Sequence, residues 1–301
     1  MPSASLPNKD LPPLYHTVDA SSLGAQQRFL RATKFRLFFL LAASVCGVSS
    51  LRIGVSSTDW AAVGAVISFS AALVTEGYLL RTRPEQTWYE GRAAAESVKT
   101  LSWRYAMGGE PFLIGGPHSE DEIEDIFLHQ LGSVFEVVKE LDVTPSSVGQ
   151  QITAPMRAVR ATSLDDRKRI YEEGRVEDQQ RWYQEKAQWN AAWARHWTII
   201  MAAVEVGGVA GAILKAVGAI DSDLLGLFGT FAVAIAAWLQ TKQHRSLATA
   251  YTVTALELAS VRTKIHRQRT EADWAYFVSD AEEAFSREHT LWKASQGVRS
   301  I

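Results

Sequence analysis

Two carboxylates stand where carboxylates are costly. Glu76 interrupts the apolar run Trp60 to Leu80, and Glu205 lies inside the run Trp197 to Val217. An acidic side chain in hydrocarbon costs about 2.5–3.5 kcal/mol on insertion scales unless it faces water or a partner, so both are candidates for lining an ion path. The chemistry open to them there is the coordination of a cation in transit. Two structural uses stay open as well: a hydrogen bond from Ser, Thr or Lys on a neighbouring helix for Glu205, and reach to headgroup water for Glu76. At 1.5 Å per residue, Glu76 lies roughly 6 Å from Leu80 and Glu205 roughly 10 Å from Thr198, so the two could belong to one inner ring.

No other chemistry has a foothold. The chain has no Walker-A sequence, no His-Glu-x-x-His, no Gly-x-Ser-x-Gly and no Cys-x-x-Cys, and its seven histidines are scattered. The only cysteine, Cys46, lies in an apolar run, which leaves neither a disulfide framework nor a cysteine metal cluster. No enzyme activity, cofactor or metal is therefore expected. The nearest approach to a glycine-rich loop, GGVAGA at 207–212, follows Glu205 within an apolar run. Its better use is helix packing, with Gly207 and Gly211 as a small-xxx-small pair. Glu205 and Gly207 differ by about 200° around a helix, so the glycines can face a neighbour while Glu205 points elsewhere.

The elements that hold these residues are set by charge segregation. Of 64 charged residues among 301, only seven fall in the windows 37–80 and 198–239. A mean hydropathy of −0.06 hides this division. It points to two solvents, lipid and water. The net charge of −2 gives no general attraction to nucleic acid, and none is expected as a partner. The first 27 residues are polar or proline-bearing, so no secretory leader is expected.

Four apolar runs predict two hairpins of membrane-spanning helices, at about 37–54 and 60–80 and at about 197–217 and 224–239. Trp60, Trp197 and Trp238 mark their ends as an interfacial belt would. Arginines and lysines flank the runs on one side (Arg28, Arg31, Lys34 and Arg36; Arg81 and Arg83; Lys242 and Arg245), which places both termini in the cytoplasm. Each hairpin precedes a long amphipathic helix, so the unit repeats at an offset of roughly 160 residues in the same orientation.

The expected division is a cytoplasmic N-terminal segment (1–34), a first hairpin with its helix (35–107), a cytoplasmic linker with a helix over about 119–141 (108–162), and a long helix, second hairpin and C-terminal cytoplasmic helix (163–301). The fold class is an all-α membrane protein. Trp182, Trp189, Trp193 and Trp197 fall 7, 4 and 4 apart, one stripe of a helix, for assembly or packing. A nucleotide-stacking platform is the alternative, but the sequence shows no basic groove beside it.

The run RVEDQQRWYQEKAQWN ahead of the second hairpin resembles DUF4231 members of the SLATT superfamily, small bacterial two-transmembrane proteins. WYEGRAAAESVKTLSWRYAMGGEPF resembles the companion SLATT unit, and LPPLYHTVDASSLGAQQRF the leader of such tandem proteins. The resemblance covers about residues 11 to 290. It implies a homo-oligomeric channel or pore-forming effector of a bacterial conflict or defence system, in the plasma membrane, gated through cytoplasmic helices. A nucleotide-sensing or nucleotide-producing protein, or its small-molecule product, is the implied partner. Four spans are few to enclose a conduit, so a pore requires self-assembly. The alternative is a non-conducting membrane-anchored scaffold or sensor that recruits a cytoplasmic partner.

Overall fold

The computed structural model describes residues 5–50, 58–139 and 149–297. Among them the chain forms helices and no strand: α1 (Pro13–Val48), α2 (Trp60–Thr82), α3 (Pro84–Met107), α4 (Glu120–Lys139), α5 (Ala154–Arg160), α6 (Leu164–Tyr171), α7 (Asp178–Ala216), α8 (Leu224–Lys242), α9 (His244–Ile265) and α10 (Glu271–Gly297). A π-helical turn, Glu172–Glu177, joins α6 to α7. Local chemistry sets the starts. Ser119 and Glu122 form a capping box ahead of α4, the Glu122 carboxylate accepting from the Ser119 N–H at 2.8 Å and the Ser119 hydroxyl accepting from the Glu122 N–H at 3.3 Å. Ser163 Oγ accepts from the Asp166 N–H at 3.2 Å to start α6. The expected end of the helix at 141 lies outside the described residues.

The chain divides into two compact units, and each is assembled from distant segments. The first comprises Met1–Gln26, Glu85–Glu185 and Ala250–Ile301; the second comprises Gln27–Pro84 and Lys186–Thr249. The first unit has the interior of a water-soluble helical domain. Trp103, Tyr105, Phe112, Phe127, Tyr171 and Trp274 are buried there, and Tyr171 meets Trp103 and Trp274 edge to face with centroids 5.9 and 5.7 Å apart.

Three buried arginines hold this core together. Arg160 donates to the carbonyls of Tyr105 and Phe112 at 3.0 and 2.7 Å. Arg167 and the Trp274 indole donate to the Met107 carbonyl at 2.8 and 2.9 Å, which satisfies an otherwise orphaned acceptor at the end of α3. Arg175 pairs with Glu282 through two hydrogen bonds of 2.9 and 2.7 Å, and the Tyr171 hydroxyl donates to the same carboxylate at 2.9 Å. The Arg175 and Glu282 side chains are 1% and 0% exposed, so neither charge has water to fall back on.

The second unit is turned inside out. Its buried side chains include Ala32, Ala43, Ala61 and Ala72, while Leu73, Val74, Ile199 and Val233 point outward, each at least 70% exposed. Large apolar side chains facing outward along successive turns fit a hydrocarbon surrounding and not water. The helical stretches that contain α2, α7 and α8 are long and apolar enough to cross a bilayer. The first predicted span is not among these three. Within α1 its apolar part runs from Leu37 to Val48, twelve residues, which is about 18 Å against a hydrocarbon core of about 30 Å. The residues 51–54 that would extend that span lie outside the described residues.

Removing one member of the Arg175–Glu282 pair leaves the other charge buried and alone. Arg175→Met is expected to lower stability by about 3–5 kcal/mol, read as an earlier thermal loss of helical circular dichroism in detergent. The double replacement Arg175→Met with Glu282→Met is expected to regain most of the loss; a double variant no better than the single would refute the assignment.

Candidate functional site

The intramembrane candidates all lie in the second unit, where helices pack in antiparallel pairs. On α1 and α2, Arg36 forms an ion pair with Glu76. Toward the other end of the same two helices, a Cβ on Gly64 would lie 3.2 Å from Cys46 Sγ. The contacts are ten residues apart on α1 and twelve on α2, in opposite chain directions. α8 meets α1 in the same sense, through the Ser44 hydroxyl donating to Thr230 Oγ1 at 3.2 Å and Lys34 Nζ lying 5.4 Å from the Trp238 ring.

Glu76 is thus not a solitary carboxylate. Its partner Arg36 stands one residue ahead of the first apolar run, and each side chain keeps about a third of its surface exposed. An ion pair at this depth neutralises both charges, so Glu76 has a structural account that does not require a conduit.

Glu205 has no such account. It lies eight residues beyond Trp197 and eleven before the end of α7 at Ala216, placing it roughly 12 Å and 16 Å from the two ends of the apolar stretch. Its side chain is exposed beside the exposed Val206 and Val209. Among the described residues no hydrogen bond or ion pair reaches it.

The two glycines face the other way. A Cβ on Gly207 would lie 2.7 Å from Phe228 Cε1, and one on Gly211 would lie 2.7 Å from Leu224 Cβ, so the backbone of α7 touches α8 along this edge. The pair is anchored at the far turn, where the Asp223 carboxylate caps α8 by accepting from the Gly226 N–H at 3.4 Å and lies 3.5 Å from Lys215 Nζ.

The tryptophan stripe is divided between the units. Trp182 belongs to the first, against Tyr251 at 5.5 Å. Trp189, Trp193, Trp197 and Trp238 line one groove of the second unit with Lys34, Lys242 and His244. Trp60 stands apart, half exposed at the start of α2 behind its Asp59 cap. Sequence reasoning missed the Arg36–Glu76 pair and this groove. Counting residues from the polar ends of antiparallel runs would have found the first, because Arg36 and Glu76 sit at matching depth.

Among the described residues no group of His, Cys, Asp and Glu is arranged to hold a metal ion. Two family descriptions match the chain: SMODS and SLOG-associating 2TM effector domain 3 over residues 12–168, and SMODS and SLOG-associating 2TM effector domain 1 over residues 171–292. Neither carries the DUF4231 designation. No curated protein and no solved structure matches it.

The glycine contacts give a graded test. Gly211→Ala drives a methyl against Leu224 Cβ, close to the α8 backbone, and is expected to cost about 1–3 kcal/mol. Gly77→Ala, where a Cβ meets nothing within 4 Å, is expected to be neutral or to gain up to about 1 kcal/mol of helix propensity. Thermal melting of both variants in one detergent checks the order, and equal melting would refute the close α7–α8 approach.

Proposed function

We propose a function from one premise: the chain belongs to the SLATT superfamily, as a tandem of two 2TM effector domains. It acts as a membrane effector in bacterial defence, and its activity is ion conduction through a pore made by several copies of itself. The observation that carries this reading is Glu205, an exposed carboxylate in mid-span with no partner among the described residues. A charge so placed finds its partner or its water in an assembly, and a ring of such carboxylates around a symmetry axis is a cation path.

Several features support the finer layout. Both α2–α3 and α8–α9 turn on a single residue in the left-handed region, Arg83 at φ 40° and Gln243 at φ 49°, 160 positions apart. Side chains rarely adopt this conformation, so its recurrence at the repeat offset favours a duplicated unit. Asp59 and Asp223 likewise cap α2 and α8. We take the spans as four, with α1 as the short first one, both termini on the cytoplasmic side of the plasma membrane and the first compact unit in water. The trigger in this reading is a nucleotide-sensing or nucleotide-producing partner or its product, received by the cytoplasmic helices. Catalysis has no part in it.

Ion flux across liposomes containing the pure protein tests the proposal. Glu205→Gln is expected to reduce cation over anion preference about tenfold, the effect of about 1.4 kcal/mol at the axis. Glu76→Gln is expected to lower thermal stability, by freeing Arg36, with selectivity retained. Absence of flux with every candidate nucleotide, together with a stably co-purifying protein, would replace the channel by a non-conducting scaffold.

A further inference from the structure

We propose that the groove between α1, α7 and α8 in the second unit is a binding site for one anionic phospholipid, its phosphate held by Lys34 and Lys242. The proposal rests on the reading that this unit lies in a bilayer. The groove encloses about 520 Å³. Both ammonium groups lie 5.4 Å from the ring of the same residue, Trp238, so two positive charges share one indole. No Asp or Glu lines the groove, and among the described residues neither lysine has an ion-pair partner. The two ammonium groups therefore lie no more than about 11 Å apart, a span that one anion with several oxygens can bridge in the absence of a counter-charge.

The shape says which anion. Along α1 the lining runs Lys34, Leu37, Phe38 and Leu41, and along α8 it runs Lys242, Trp238, Ile235 and Ala234. Each is a single helical stripe that begins at a lysine and continues apolar for roughly 10–12 Å. The chains run oppositely, yet both lysines meet at Trp238, so both stripes are polar at the same end. At that end His244 Nδ1 lies 2.7 Å from Asn190 Oδ1, and the His244 ring meets Trp189 edge to face at 5.4 Å. A free phosphate would satisfy the lysines and leave the apolar floor uncovered. A phospholipid satisfies both, with its headgroup at the basic end and an acyl chain against Phe38 and Ile235, the arrangement of basic pockets between spanning helices.

The whole 301-residue chain reconstituted with equal amounts of phosphatidylglycerol and phosphatidylcholine tests this. Flotation with the vesicles comes first: a chain that does not rise with them overturns the bilayer reading and this site together. Native mass spectrometry of floated protein is then expected to show phosphatidylglycerol retained over phosphatidylcholine by roughly 25-fold, each lysine contributing about a factor of five. Lys34→Arg with Lys242→Arg is expected to keep the preference, and Lys34→Ala with Lys242→Ala to bring it close to one. Equal retention by floated wild-type protein, which needs no variant to fold, overturns the site alone and leaves the bilayer reading in place. So does an unchanged preference in the alanine pair. Displacement of bound lipid by millimolar inorganic phosphate would show that the lysines take a free anion, and overturns the lipid assignment.

Discussion

A charge withdrawn from water must find a partner, and much of this structure is an answer to that requirement. In the first unit the answer is complete: Arg175 and Glu282 pair where neither is exposed, with the Tyr171 hydroxyl on the same carboxylate. In the second it is met by Arg36 and Glu76 across α1 and α2. Among the described residues Glu205 receives no answer, and the lysines at Trp238 have an aromatic face but no ion-pair partner. Function is sought at the charges that remain uncompensated, because elsewhere the chain has met the cost internally.

The two units use the same helical vocabulary in opposite senses. Large aromatics go inward in one and alanines go inward in the other, with Leu, Val and Ile turned out. Small interior residues allow the apolar helices to approach closely where there is no water to drive them together, and the contacts of Gly207 and Gly211 with α8 are the clearest instance.

Much of the architecture was legible because its signals are long and periodic. Apolar runs, capping Ser119 and Ser163, and the offset between α2 and α8 can all be read by counting. The first apolar run is the exception: α1 ends at Val48, leaving twelve apolar residues in the described helix. What counting could not supply was partnership across sequence. Arg36 reads as a cytoplasmic flank until α2 is laid beside it, and Trp182 reads as one stripe with Trp189 although the two belong to different units. The buried arginines 160, 167 and 175 carried no signal at all, because a basic residue in a polar helix is ordinarily on the surface.

The boundary between the family domains, near residue 170, does not coincide with any boundary between the compact units. The core of the first unit takes Met107 and Arg167 from the earlier domain and Trp274, Arg175 and Glu282 from the later one. During synthesis the earlier domain therefore leaves the ribosome with its polar interior unfinished, and it closes only when the last helix arrives. Fusion into one polypeptide also fixes stoichiometry: the two family domains are made in equal number and at the same place.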